Sequence, residues 1–479
     1  MKPLSLDEIC RAVQGRWLQP AEQPTAGGVT TDTRAAQRGQ VFFAVRGERF
    51  DGHDFLRQAR EAGCAAAVVA RDAPQLQQAA GQGGMGLIAV GDTRRALNQF
   101  ASFYRKGFAA GVIAVTGSNG KTTVKRMIHH ILSRRLTGSC SPKSYNNDIG
   151  VPLTLLGVGA GDDYVVCEIG SNAPGEVEAL GRIARPDVAV VTSVGPAHLE
   201  RFGSVDRVAV EKASLIGCLV EDGLAVVWAD SEPLAKAVRF HDRRVVRFGA
   251  SQDADLRLTA WEPRGSGQRF QLNGRLWAEL PLPGRHNAVN ALAAIAVAQR
   301  FALSQEESAG ALADFAGAEM RLEWIRAGDV TIINDAYNAN PGSVAAAADV
   351  LACCEGKRRV MIVGDMLELG PAAKDLHLQV GRDIAARPGA AGGVDLLIGV
   401  GRLGRYIAQG AADGRLPTET YSSVRDACAH IADALRAGDV VLIKGSRAMG
   451  MEVLVEPIQR AFGRPAGPEN VEPSRGRKR

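Results

Sequence analysis

Between an apolar run, Gly111 to Thr116, and an expected helix from Lys121 lies the stretch Thr116-Gly117-Ser118-Asn119-Gly120-Lys121-Thr122-Thr123. These residue types at this spacing suit phosphate. Glycines let successive backbone amides converge on phosphate oxygens, and the start of a helix adds a favourable field. Lys121 supplies a cation for the β and γ phosphates, and the Thr122 hydroxyl suits Mg2+. ATP is the expected guest. The match to the general phosphate-loop pattern is partial, because Val115 stands where the first glycine would be.

A second glycine pattern, Gly399-Val400-Gly401-Arg402-Leu403-Gly404, follows another apolar run and has Glu419 twenty residues beyond Gly399. It fits a dinucleotide fingerprint, hence a nicotinamide-dependent dehydrogenase. Against that, it lies late in the chain, whereas the fingerprint opens a first βα unit, and any tight strand-to-helix turn needs such glycines.

Other chemistry-bearing groups sit at the ends of apolar runs. Glu168 closes YVVCE, and His198 follows VAVVTSV in GPAHLERFGS, so both are expected at the carboxyl edge of a parallel sheet, where ligands gather. With a phosphate loop on the same edge, they could hold Mg2+ that bridges ATP to an acceptor. A helix cap for Glu168 and a surface histidine for His198 are the plain alternatives. Lys212, in VAVEKASLI, reads from sequence as a solvated helix lysine. Asn287 and Asn290, in PGRHNAVN, could bond an adenine edge or cap a helix. Arg321 and Asp335 (in NDAYNANPGS) could reach ATP or form a hinge salt bridge.

The elements that must position these groups are those of an α/β protein. At about 150 residues per domain, 479 residues suggest three domains, and 46% apolar residues supply a core for each. Residues 1–91 form a small α/β unit with strands at Val41–Val45 and Ala65–Ala70. Residues 92–318 hold a parallel sheet, with strands at Gly111–Thr116, Tyr164–Ile169, Asp187–Val194 and Leu224–Ala229. Hairpins follow between Leu256 and Leu280, then a helix from His286 to Arg300. Residues 319–463 repeat the βα rhythm as a Rossmann-like layer, with strands at Val330–Asn334, Val360–Val363, Leu396–Val400 and Val440–Ile443. Residues 464–479 form a basic tail expected to be disordered.

Net charge is +5, but the tail holds five basic and two acidic groups, so the body is nearly neutral and offers no nucleic-acid face. Eight cysteines form no CxxC pair, and no apolar run approaches the roughly 18 residues that span a bilayer. A reduced, cytoplasmic, monomeric protein with no membrane insertion is the expectation.

Taken together, these stretches make the chain similar to the ATP-dependent Mur ligases of peptidoglycan synthesis, from about Gly28 to about Ile458. KSYNNDIGVPLTLL, NDAYNANPGS, GDMLELG and LIKGSRAMGMEV resemble the branch that adds D-alanyl-D-alanine. The resemblance implies an amide ligase. ATP would phosphorylate the terminal carboxylate of UDP-N-acetylmuramoyl-tripeptide, and the amine of D-Ala-D-Ala would displace phosphate from the acyl phosphate. It also implies roles: Gly117 to Thr123 for phosphate, Asn290, Arg321 and Asp335 for the rest of ATP, and Thr122, Glu168 and His198 for Mg2+. Lys212 would carry a CO2-derived carbamate that joins the metal. Thr31-Asp32-Thr33-Arg34, with Thr33 where the family has serine, would bind the uridine part, and Asn146 and Asn147 the substrate. A ligase adding the third peptide residue, or a folylpolyglutamate synthase, would share this chemistry; NDAYNANPGS argues against both.

Overall fold

The computed structural model describes residues 1–47, 50–76, 83–387 and 393–463. The expected tail at 464–479 lies outside them. The chain forms two compact units, Met1–Pro281 with Arg285–Ala316, and Leu282–Gly284 with Gly317 onward. Both are α/β.

The first unit holds two main sheets. A five-stranded sheet runs in the order Arg16–Gln19, Gly86–Val90, Ala66–Ala70, Gln40–Phe43, Gly28–Thr30, parallel except for its first strand. Alternate residues face opposite cores: Val41 and Phe43 one way, Phe42 and Ala44 the other. A parallel sheet is covered on both faces in this manner, which is why its strands read as unbroken apolar runs. Gly86–Val90 is fully buried; behind a glycine- and glutamine-rich stretch it escaped the sequence reading.

The nine-stranded sheet has the order Leu276–Leu280, Gly267–Leu272, Leu256–Arg264, Arg244–Gly249, Leu224–Trp228, Val188–Val191, Gly111–Thr116, Tyr164–Glu168, Gly138–Cys140. The first three strands are the antiparallel hairpins, and the rest are parallel. Between the two sheets lies the helix Thr93–Arg105, capped by the Asp92 side chain. Its Phe100 stacks on Phe43 at 6.3 Å, and the Thr93 hydroxyl donates to the Ala44 carbonyl. One apolar core therefore runs from Val41 through Phe100 to Val112 and Ala189.

The second unit is a six-stranded sheet in the order Glu323–Ala327, Val330–Asp335, Asp439–Lys444, Arg358–Val363, Leu396–Val400, Thr418–Tyr421, parallel but for the first strand. Val330, Ile332, Val360, Ile362, Ile398 and Val441 line its core. The edge strands Glu323–Ala327 and Thr418–Tyr421 are too polar to announce themselves as strands.

Candidate active site

The central sheet positions the phosphate loop by ending one strand abruptly. Val115 is fully buried and pairs with Glu168 on one side and Val190 on the other, so it is a strand residue in extended backbone. A glycine is not needed there; the turn begins at Gly117. Gly117 has φ +147° and Gly120 φ +83°, conformations that L side chains rarely adopt. A Cβ on Gly117 would lie 2.1 Å from the Thr192 hydroxyl oxygen, and one on Gly120 2.6 Å from Asn290 Oδ1. Gly120 is the N-cap of helix Lys121–Leu132 and brings no side chain to its first amides.

The loop is strapped to the next strand's end. Ser118 N–H donates to the Ser193 carbonyl at 2.9 Å and Asn119 N–H to Ser193 Oγ at 2.8 Å. Ser118 Oγ donates to the Gly195 carbonyl at 3.2 Å. These bonds explain why that strand stops at Val191 rather than Val194: residues 192–195 turn aside to hold the loop. Three residues on, His198 is half-buried with φ +52°, at the start of the short helix Leu199–Phe202.

Glu168 closes its strand fully buried and is no helix cap. Its Oε2 accepts from the Thr122 hydroxyl at 3.0 Å and pairs with Lys125 Nζ at 3.2 Å; its Oε1 accepts from Asn146 Nδ2 at 3.0 Å. Lys121 Nζ donates to the Gly117 carbonyl at 2.7 Å, and Thr123 is half-buried behind it. Asn290 lies well inside helix Arg285–Arg300, so it is no cap either. It is buried against Gly120, and its Nδ2 donates to Asn287 Oδ1 at 3.1 Å. Asn147 stands just ahead of the helix Gly150–Leu156, its Oδ1 accepting from Gly150 N–H at 2.9 Å.

Lys212 corrects the solvated-lysine reading. It is 2% exposed, and its Nζ donates to Ser171 Oγ at 2.6 Å. Burial first, and then repulsion from Lys121, push its amine down to about 7, against the pull of Glu211 and Glu176. Glu211 is itself fixed, accepting from the Gly175 and Val177 amides at 2.7 and 2.8 Å.

The remaining expected groups stand on other sheets. Thr31, Asp32, Thr33 and Arg34 follow the strand Gly28–Thr30 at its carboxyl end. Asp32 caps the turn Thr33–Ala35 and pairs with the exposed Arg34 at 2.7 Å, which holds the Asp32 carboxyl below its usual range. In the second unit, Asp335 pairs with Lys444 Nζ at 2.6 Å, and Arg321 lies over the Tyr337 ring at 4.2 Å. Met320 and Leu322 flank Arg321 with φ +54° and +53°, strained backbone held in place by Glu323 and Asp335.

The dinucleotide reading of Gly399–Gly404 is overturned. Asp365 Oδ1 accepts the amides of Leu403 and Gly404, each at 2.8 Å, and a Cβ on Gly401 would lie 2.7 Å from that same oxygen. A pyrophosphate would need the space and the amides that this carboxylate already holds.

Sequence reasoning missed Lys125, Asp365 and Lys444. Lys444 could have been found by the rule that found Glu168, an ionisable residue closing an apolar strand. Lys125 lies one helical turn beyond Lys121, on the face of Thr122.

Comparison with known proteins accords with this geometry. Residues 25–105 match the model "Mur ligase family, catalytic domain", 115–298 "Mur ligase middle domain" and 320–447 "Mur ligase, glutamate ligase domain". A UDP-N-acetylmuramoyl-tripeptide--D-alanyl-D-alanine ligase of Bacillus subtilis (strain 168) is 35% identical over 460 residues, 95% of this chain and 98% of that one. Crystal structure I of MurF from Acinetobacter baumannii superposes with a TM-score of 0.86 at 32% identity, covering 96% of this chain and 99% of that one. The MurF ligase of Thermotoga maritima in complex with ADP gives 0.77 at 25% identity, covering 91% and 97%. With a phosphate loop built as above and likeness running the length of the molecule, the chain belongs to the Mur ligase family.

Proposed function

We propose that this chain is an ATP-dependent ligase that joins D-Ala-D-Ala to UDP-N-acetylmuramoyl-tripeptide, the reaction named by its full-length relatives. The observation that carries the reading is the Thr122–Glu168 bond, which places a hydroxyl and a buried carboxylate beside a phosphate loop. A free carboxylate cannot acylate an amine at neutral pH, because it would have to expel oxide. Transfer of the γ-phosphoryl group gives an acyl phosphate, whose leaving group is stable phosphate.

The residues divide that task. Gly117 to Thr123 hold the phosphates, and Lys121 offsets negative charge as it shifts onto oxygen. Asn290 bounds the nucleotide side of the loop, and Arg321 and Asp335 are assigned to ATP by the family resemblance. Thr31 to Arg34 hold the uridine part, with Asn146 and Asn147 on the peptide side. The domain boundaries near 91 and 318 are part of the same proposal.

Thr122 and Glu168 present hard oxygen donors, which fit Mg2+. Among the described residues no three His, Cys, Asp or Glu side chains gather to hold a metal alone, so the ion would complete its shell from ATP and water. His198, an imidazole, serves such an ion better through a bound water. Bound there, Mg2+ would draw charge from the transferring phosphoryl group. As an ammonium, Lys212 would repel that ion. Its lowered pKa, at about 7, leaves a share of neutral amine at neutral pH. That amine can add CO2 and lose a proton to give an anionic carbamate.

The test is ADP release on supplying the UDP-muramoyl tripeptide with D-Ala-D-Ala, D-Ala or glutamate. Turnover with D-Ala-D-Ala alone supports the proposal; turnover only with another acceptor overturns it.

A further inference from the structure

Lys125 is 1% exposed, and the ligase reading assigns it nothing. Its ammonium has three acceptors: Glu168 Oε2 at 3.2 Å, the Ser141 carbonyl at 2.8 Å and the Lys143 carbonyl. Three N–H donors thus meet three oxygens. Both ends of the ion pair are 2% exposed as side chains, and a buried pair of this kind gives little stability that an apolar pair would not. Its charge has a more specific consequence. The same carboxylate oxygen takes the Thr122 hydroxyl, so a dication approaching these two ligands meets a fixed positive charge beside them.

The surrounding loop reinforces the arrangement. Ser141 Oγ accepts from the Glu168 amide at 3.2 Å, Asn146 bonds the other carboxylate oxygen, and the Gly170 amide donates to the Asn146 carbonyl at 2.8 Å. Glu168 is thereby held at one geometry with its charge compensated, by a strap from the segment that carries Asn146 and Asn147.

We propose that Lys125 is a positioning residue that makes the metal site conditional on nucleotide: its ammonium offsets Glu168, so a divalent cation is held only when ATP or ADP phosphates add negative charge. The inference rests on Glu168 being a metal ligand, as proposed above.

The test uses the full chain and Mn2+ as a paramagnetic probe, titrated with and without ADP. In the unsubstituted protein, ADP should tighten Mn2+ binding on the order of tenfold beyond ADP's own affinity for the ion. Lys125→Met, and Lys125→Gln, which keeps a donor without the charge, should bind Mn2+ about tenfold more tightly without nucleotide, and so lose most of that dependence while turning over more slowly. A merely structural role would weaken metal binding or leave it alone. Folded variants that bind Mn2+ no more tightly overturn the inference, as does unsubstituted protein whose Mn2+ affinity ignores ADP. Glu168→Gln separates the two layers: if it keeps full Mn2+ affinity with ADP, the ligand assignment falls too. If it loses that affinity while the Lys125 variants are unchanged, only this inference falls.

Discussion

Two glycine-rich turns, Gly117–Lys121 and Gly399–Gly404, each lead from a buried parallel strand into a helix, and each has a carboxylate close by. At the first, Glu168 spends its oxygens on the side chains of Thr122, Lys125 and Asn146, and Lys121 lays its ammonium along the loop. At the second, Asp365 accepts the helix's own first amides. The same backbone motif is an anion cradle in one place and an already filled one in the other. What separates them is not the glycines but which donors the nearby carboxylate takes.

The largest expected effect lies in the open turn. Lys121→Ala should cut turnover by about a thousandfold while the fold persists; normal ADP release by a folded variant would erase the contrast between the turns. The positive field at that loop also reaches Lys212, whose amine it helps to lower. The unfolded chain keeps the Lys212 proton up to about pH 10.5, while the folded protein gives it up near pH 7. The buried lysine therefore costs stability in full below about pH 7, and that cost disappears as pH rises to about 10.5. In CO2-free, metal-free buffer, Lys212→Met should be more stable than the unsubstituted protein at pH 7, on the order of 3 kcal/mol. That advantage should vanish near pH 10.5; an advantage constant with pH would mean the amine is not perturbed.

In the filled turn, Asp365→Ala should cost about 1–3 kcal/mol, read from denaturant unfolding, because two amides lose a charged acceptor. The variant should gain no affinity for a dinucleotide; tight NADH binding by fluorescence would contradict this. The smallest effect belongs to an exposed strand end where nothing is sealed. Arg34→Ala should change stability by less than about 0.5 kcal/mol while raising KM for the UDP-muramoyl tripeptide. An unchanged KM would detach Arg34 from substrate.

The sequence revealed the open turn well, because its chemistry is concentrated in eight adjacent residues, and it revealed Glu168 because a lone carboxylate closing VVC is conspicuous. The parallel sheets were legible for the same reason: strands covered on both faces are written as apolar runs. Lysines defeated the reading. Lys125, Lys212 and Lys444 are all nearly inaccessible, yet Lys125 and Lys212 sit in helical patterns that suit a solvated side chain equally well, and only the strand-closing place of Lys444 points to burial. Their partners, Glu168, Ser171 and Asp335, are 43, 41 and 109 residues away along the chain. The role of Asp365 was hidden likewise, since its amides lie 38 and 39 residues downstream.

The stacking of Phe100 on Phe43 has a practical corollary for anyone dissecting this enzyme. Cutting the polypeptide at residue 91 would strip the cover from Leu97, Phe100 and Ala101 on the helix that follows. A fragment starting at residue 92 would carry a greasy stripe into water and tend to clump. The nucleotide-handling half is therefore best produced with its amino-terminal neighbour still attached.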